Sequence, residues 1–400
     1  MEAGQGDARP AAHLHADTRR PGRQRRGGDR LKQGGIIPAP LAALPWGMLL
    51  LVLAIGGFGL VVLYSAAGGS LTPWAFGQGV RFLMFLGMAI VLSRVPESAW
   101  KAITFPIYGV LVLALIGVEA IGGISGGSQR WLDLGIIRLQ PSEMMKPAIV
   151  LAVARFYGML PAGQLRTIHA IWPAALLIGV PAGLVMLQPD LGTALMITFG
   201  GLTVTFLAGL PLRLYVGSAL AAAAAAPIAF GLMHDYQRNR VLIFLNPESD
   251  PLGKGYHISQ SKIAIGSGGL FGKGFLQGTQ SRLDYLPERQ TDFVFATMTE
   301  EWGLVGGLFL IFAFFLLIRW GMQVAHNARS KYARLTAAGL ATTIFFYVGI
   351  NLMMVMGLAP VVGIPLPLVS YGGSAVMTVM ICIGILMSID RESRRGRRLP

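Results

Sequence analysis

The chain has 400 residues, of which 54% are hydrophobic and 13% are charged, with a net charge of +14 and one cysteine. Soluble domains carry about 25% charged residues, so this composition excludes an ordinary water-soluble protein and indicates one embedded in a membrane. The lone Cys382 excludes an intrachain disulfide and any metal site built from several cysteines.

The positive charge is concentrated at the two ends of the chain. Residues 1–43 contain eight Arg and Lys against four acidic residues, and the residues after Asp390 contain five Arg. Neither end has stacking aromatic residues or a recognition motif, which argues against nucleic acid as a partner and favours anionic membrane lipids. We therefore expect a disordered basic cytoplasmic tail over 1–43 and a second basic cytoplasmic tail over 391–400.

Between the tails, over residues 44–390, the chain alternates between apolar segments and short polar connections. A segment of about 20 apolar residues crosses a hydrocarbon core about 30 Å thick. The segments are 46–63, 76–92, 102–118, 144–157, 168–187, 191–207, 214–233, 293–318, 335–357 and 366–389. The pattern predicts an all-α polytopic membrane protein with about ten transmembrane helices.

An even number of spans puts both ends on one side, and a cytoplasmic placement gives the inner loops an excess of Lys and Arg. Two large loops, about 122–143 and 234–292, then lie outside, the second between helices 7 and 8. The second loop is too long for a simple connection, and its apolar side chains predict amphipathic pieces at the membrane surface. Its glycines over 266–278 fit either turns between short helices or a nest of backbone N–H groups that receives phosphate.

Ionisable side chains in or beside apolar segments are candidates for function because they are costly in lipid. Glu143 and Lys146 are three residues apart, so they share a helix face and can pair, either for structure or for substrate. Asp190 and Asp292 stand at predicted helix starts, where an acid also simply stabilises the N-terminus.

Other polar residues lie deeper or further out. Glu300 and Glu301 lie about two helical turns beyond Asp292 in the same segment, and we expect one of them to need a polar partner inside the bundle. Arg130 and Trp131 lie in the first outer loop, where a Trp is also a common interfacial anchor. Together these acids and cations suit an amphiphile with an anionic head.

Nine motifs along the chain resemble the SEDS family of peptidoglycan polymerases. They are QRWLDLG at 129–135, QPSE at 140–143, QPDLGT at 188–193, NPESDPLGKGYH at 246–257, QSKIAIGSGG at 260–269, GTQS at 278–281, LPERQTDF at 286–293, GIPLP at 363–367 and SYGGS at 370–374. The resemblance covers residues 45–390. The NP and DP pairs at 246–251, GTQS and QPDL are similar to the RodA-like elongation branch rather than the FtsW-like division branch.

The resemblance implies an inner-membrane glycosyltransferase of ten helices that links the disaccharides of lipid II and works with a class B penicillin-binding protein, a transpeptidase. The family's catalytic acid matches Asp292. Its polar cavity matches Glu143, Lys146 and Asp190, with Arg130 and Trp131 nearby. Both termini would lie in the cytoplasm and the active site on the periplasmic side.

The chemistry of glycan polymerisation fits these residue types. A carboxylate, assigned to Asp292, would take the proton from the acceptor's 4-hydroxyl. Lys146 and Arg130, or a divalent cation such as Mg²⁺ or Mn²⁺, would stabilise the pyrophosphate leaving group, and the sequence leaves the metal open. Two other functions use the same ingredients: a lipid II flippase, which should show matched broken helices in two halves, and a non-catalytic scaffold for the penicillin-binding protein.

Overall fold

The computed structural model describes the backbone of residues 44–121, 123–125, 128–133, 138–161, 163–165, 167–232, 235–246, 250, 253–286 and 288–397. The expected N-terminal tail over 1–43 lies outside the described residues. The long helices are α1 (Trp46–Ala66), α2 (Ala75–Leu92), α3 (Glu97–Ile121), α4 (Pro141–Met159), α5 (Ile168–Leu187), α6 (Leu191–Ala208), α7 (Leu212–Leu232), α11 (Val294–Asn327), α12 (Lys331–Val355) and α13 (Gly373–Arg397).

The prediction of an all-α polytopic membrane protein is confirmed. Within the described ranges, eight helices are long and apolar enough to cross a membrane: α1, α2, α3, α5, α6, α11, α12 and α13. Helix α7 is apolar over the shorter stretch Leu212–Ile228. Helix α4 carries Glu143, Lys146 and Arg155. Each of the ten predicted segments overlaps one of these helices. That all ten cross the membrane stays a prediction.

Helix α4 lies inside the bundle rather than at its edge. Most of its side chains are buried, and it contacts α3, α6 and α12. A helix surrounded by protein on nearly all sides does not need an apolar surface for lipid, which is why α4 tolerates charges near its start. The start of this helix is accordingly buried, with Glu143 6% and Lys146 1% exposed.

The two predicted outer loops both contain regular structure. The first holds a small antiparallel sheet in the order β1 (Gly123–Ser125), β2 (Ser128–Asp133), β3 (Arg138–Leu139), with Gly123 opposite Trp131 and Leu132 opposite Leu139. The second holds α8 (Asp235–Leu245), α9 (Lys254–Ser267) and α10 (Thr279–Arg282). These helices lie between α7 and α11, the seventh and eighth of the long helices.

The last helix differs from its predicted segment at both ends. The sequence places the last span at 366–389, whereas α13 begins at Gly373 and continues to Arg397. Residues 356–372, here called the α12–α13 loop, are not helical. The first seven residues of the predicted span, 366–372, therefore belong to this loop. Three prolines, Pro360, Pro365 and Pro367, lie in this loop, and proline disfavours helix in its own and the preceding residue.

Candidate functional site

A closed polar triad lies at the start of α4. Pro141 occupies the first turn of α4, so Glu143 and Lys146 lie one turn apart on the same face. Lys146 Nζ donates to Glu143 Oε1 at 2.6 Å and to the hydroxyl of Tyr347 at 2.8 Å. Tyr347 in turn donates to Glu143 Oε2 at 2.5 Å. The predicted pair is confirmed, and Tyr347 from α12 completes it.

This triad is withdrawn from solvent. Glu143 is 6% exposed, Lys146 1% and Tyr347 0%. The Lys146 ammonium also lies 4.5 Å from the centroid of the Tyr347 ring. An aromatic ring attracts a cation at this distance, so the contact stabilises the charged lysine. Sequence reasoning missed Tyr347 because it is 201 residues from Lys146 and no local spacing connects the two.

Asp292 is half-buried and stands just before α11. Phe293, not Asp292, occupies the N-cap position, and its side chain makes no capping hydrogen bond. A β-carbon added to Gly363 would lie 3.7 Å from Asp292 Oδ2, so this carboxylate faces the α12–α13 loop. Gly363 has a φ of +72°, a conformation that favours glycine there.

Asp190, by contrast, does cap a helix. Its Oδ1 accepts a hydrogen bond of 3.1 Å from the backbone N–H of Thr193 in the first turn of α6. The structural interpretation of Asp190 is thus confirmed, and a capping carboxylate is also stabilised by the helix dipole. Gly192 packs so closely that an added β-carbon would lie 2.6 Å from the carbonyl oxygen of Val362 in the α12–α13 loop.

Helix α12 connects the triad to Asp292. Tyr347 and Asn351 are four residues apart, so they lie on the same face with β-carbons about 6 Å apart. Asn351 Nδ2 donates to the backbone oxygen of Asp292 at 2.9 Å and to that of Ile364 at 2.8 Å. The Glu143–Lys146 pair and the backbone of Asp292 are therefore bound one helical turn apart on the same face of α12. The α12–α13 loop also contacts the start of α6, which carries Asp190.

The residues before Asp292 are also bound by the α12–α13 loop. The backbone N–H of Tyr371 donates to the Gln290 oxygen at 2.7 Å. The Ser370 hydroxyl donates to the Thr291 oxygen at 2.6 Å and accepts from the Leu366 N–H at 2.8 Å. None of these contacts follows from a spacing in the sequence.

The glycine-rich stretch packs against a break in α11. Gly303 has a φ of 65° and a ψ of −162°, which interrupts the helix. The carbonyls of Glu300 and Glu301 accept from Lys273 N and Gly274 N, while Leu304 N and Val305 N donate to Gly269 O and Leu270 O. Turns in close backbone contact are the correct interpretation of this stretch, since the two amides at 273 and 274 already bind protein.

Glu300 and Glu301 both have polar partners, as their depth in the bundle requires. Glu300 Oε1 accepts from Lys273 Nζ at 2.7 Å, from Thr279 Oγ1 at 3.0 Å and from Gln280 N at 2.9 Å. Glu301 Oε1 accepts from Ser65 Oγ at 2.5 Å. These carboxylates join α11 to the second outer loop and to α1.

The first outer loop contributes two of the predicted site residues. Arg130 and Trp131 lie in β2, and their side chains lie outside the described part of the structure.

Among described residues, no group of three or more His, Cys, Asp and Glu is arranged to hold a metal ion. Arg81 of α2, which sequence reasoning missed, lies with its guanidinium 5.0 Å from the Tyr371 ring centroid.

Comparison with known proteins places this geometry in a family. Residues 45–395 match the model of the FTSW_RODA_SPOVE family, described as cell cycle proteins. The peptidoglycan glycosyltransferase MrdB of Escherichia coli K12 is 48% identical over 350 residues, which cover 87% of this chain and 93% of that protein. The probable peptidoglycan glycosyltransferase FtsW of Trichlorobacter lovleyi is 34% identical over 88% of this chain and 94% of that protein.

Two solved structures agree with the sequence comparison. A chain from a structure described as the coordination of polymerization and crosslinking by a peptidoglycan synthase complex superposes with a TM-score of 0.76 and 34% identity, covering 88% of this chain and 98% of that one. The rod shape determining protein RodA of Thermus thermophilus gives a TM-score of 0.67 and 30% identity, over 88% of this chain and 97% of that one. The chain belongs to the FtsW/RodA/SpoVE family of membrane proteins, the SEDS family, and is similar to its RodA members.

Proposed function

We propose that this protein is a peptidoglycan glycosyltransferase that polymerises lipid II into glycan strands for cell elongation and rod shape. The observation that carries the proposal is the position of Asp292. Its half-buried carboxylate faces Gly363 of the α12–α13 loop. Its backbone is bound by Asn351, one helical turn along α12 from Tyr347 of the buried polar triad. The 48% identity to a peptidoglycan glycosyltransferase over most of the chain supports the same reaction.

Asp292 is the proposed general base. Polymerisation joins the 4-hydroxyl of an acceptor sugar to the anomeric carbon of a donor whose leaving group is a lipid pyrophosphate. A carboxylate within reach of the acceptor hydroxyl takes its proton in the transition state and makes it a competent nucleophile. Asp292 immediately precedes Phe293, the N-cap residue of α11, so its carboxylate stands at the entrance of that helix.

Lys146 is the proposed cation for the substrate's phosphates, and Glu143 positions it. An ammonium has three N–H groups, and Glu143 and Tyr347 take two of them. Among the described residues no third acceptor binds this ammonium, which leaves one N–H group for a phosphate oxygen of the substrate. Asp190, Arg130 and Trp131 complete the proposed substrate-binding set. The contact of the first turn of α6 with the α12–α13 loop supports Asp190 as a member.

The proposed location is the bacterial inner membrane, with both termini in the cytoplasm and the active site on the periplasmic side. Residues 1–43 and 391–400 are the proposed cytoplasmic tails, the second formed in part by the end of α13. The proposed partner is a class B penicillin-binding protein. Similarity to a chain of a synthase complex that polymerises and crosslinks supports such a partner.

The test is incubation of the purified protein with lipid II, with and without the transpeptidase, followed by measurement of glycan length. Glycan strands made by the parent protein are the expected product. Movement of lipid II across a vesicle membrane without glycan formation would support a flippase instead. Absence of both activities, with the transpeptidase still bound, would support a scaffold.

A further inference from the structure

Three consecutive backbone oxygens that end at the proposed base are each held by another part of the protein. The Gln290 oxygen binds Tyr371 N, the Thr291 oxygen binds Ser370 Oγ, and the Asp292 oxygen binds Asn351 Nδ2. We call these three hydrogen bonds the carbonyl clamp. The donors come from α12 and the α12–α13 loop, which are about 60 to 80 residues further along the chain.

The first turn of α11 has a backbone acceptor of its own. Its first-turn N–H groups, those of Ala296 and Thr297, donate to the carbonyl of Phe293. An acceptor that is partly buried without a donor is costly, so donors from elsewhere in the chain stabilise a segment in this position. The clamp supplies such donors, and it holds the three consecutive peptide units between Gln290 and Phe293.

Asn351 is suited to this task by its two amide hydrogens. Both of its partners, the oxygens of Asp292 and Ile364, are acceptors, so the atom that faces them must be the nitrogen. Asn351 is 0% exposed, and water does not substitute for it readily. Through one side chain, the backbone at Asp292 is tied to the loop that also presents Gly363 to the Asp292 carboxylate.

Ser370 binds the backbone oxygen of Thr291, the residue before Asp292. Its hydroxyl receives a hydrogen bond from Leu366 N and donates to the Thr291 oxygen, so the direction of its proton is set. The backbone oxygen of Ser370 accepts a hydrogen bond of 2.8 Å from Gln78 Nε2 of α2. The clamp is thus anchored in two helices, α2 and α12, rather than in the loop alone.

We propose that Asn351 and Ser370 are positioning residues of the transferase reaction, which hold the Asp292 carboxylate at a fixed direction and depth. The proposal rests on the function proposed above. A base that is misplaced by about 1 Å can lose roughly 100-fold in rate without any change in its chemistry. The clamp acts on the backbone at Asp292, so its loss should affect kcat and leave KM nearly unchanged.

The test compares Asn351→Asp with Thr343→Val in the purified full-length protein. Asn351→Asp keeps the shape but sets an oxygen against two carbonyl oxygens. Thr343 is equally buried, lies two turns away on the same helix, and bonds only the Gly339 carbonyl of its own helix. We expect Asn351→Asp to lower kcat for glycan synthesis about 30-fold or more, with KM within about threefold. Thr343→Val should keep kcat within about threefold of the parent.

Ser370→Ala provides an independent variant if Asn351→Asp does not insert or fold. It removes the bond to the Thr291 oxygen and should lower kcat about fivefold or more, with KM again within about threefold. Melting temperature and the folded fraction are measured for every variant. A variant that melts earlier but keeps the parent kcat per folded molecule would overturn the proposal, because packing alone would then explain the clamp. If the unmutated protein itself makes no glycan from lipid II, the proposed function is refuted instead.

Discussion

Tyr347 and Asn351 lie one turn apart on α12 and bind two different parts of the polar site. Tyr347 bonds both members of the Glu143–Lys146 pair, whereas Asn351 bonds the backbone of Asp292. One face of one helix therefore sets the spacing between the buried cation and the proposed base. This arrangement leads to separate tests for the two ends of the site.

Asp292→Asn should lower the rate of glycan polymerisation about 100-fold or more, because the amide cannot take the proton of the acceptor hydroxyl. The measurement is glycan synthesis from lipid II by protein that inserts and binds its transpeptidase like the parent. Asp284→Asn is the control: its carboxylate is 77% exposed in the same outer loop and pairs with Arg289. Activity of Asp292→Asn within about threefold of the parent would refute the assignment of the base.

Tyr347→Phe should weaken both stability and activity, because it removes one donor to Glu143 and one acceptor for Lys146. We expect a loss of about 1–3 kcal/mol in the free energy of unfolding and a clear fall in activity per folded molecule. Tyr157→Phe is the matched control, since Tyr157 is also 0% exposed and its hydroxyl makes one bond, to the Ala170 oxygen. Thermal melting and glycan synthesis are measured side by side. Equal activity of the two variants would limit the triad to a structural role.

Lys146→Ala should abolish most polymerisation, and Lys146→Arg should recover part of it if the charge matters more than the shape. Removing the ammonium leaves Glu143 buried and without its ion pair, which costs about 3–5 kcal/mol, so activity has to be normalised to folded protein. Normal polymerisation by correctly folded Lys146→Ala would show that the lysine does not bind substrate.

Gly272→Ala should destabilise the protein by about 2 kcal/mol or more. A β-carbon there would lie 2.0 Å from the backbone oxygen of Glu301, and Gly272 has a φ of +80°. Gly266→Ala is the control, because a β-carbon at that helical position meets nothing within 4 Å. Alanine is preferred over glycine in a helix, so this control should melt at or above the parent temperature. Similar melting of both variants would contradict the close packing of the loop on α11.

Deleting residues 1–43 should leave glycan synthesis by the purified protein within about twofold of the parent. The segment lacks the apolar surface for a packed unit and supplies positive charge for the inner leaflet. A truncated protein that folds but has lost most of its activity would show that the tail takes part in catalysis.

The fold class follows from the sequence alone, because the bilayer acts on composition and segment length. A run of about 20 apolar residues has few alternatives to a membrane helix, so each of the ten segments overlaps a helix. The pairing of Glu143 with Lys146 and the capping role of Asp190 were also predictable, since both depend on a spacing of three residues within one helix.

The tertiary structure alone decided which distant residues complete the site. Tyr347, Asn351 and Ser370 bind Glu143, Asp292 and Thr291 across 204, 59 and 79 residues of chain. It also decided between the two interpretations of the glycine-rich stretch, which depend on whether the amides at 273 and 274 have partners in α11. Periodicity and spacing report on neighbours within one helix or strand, whereas these contacts depend on how whole helices pack against one another.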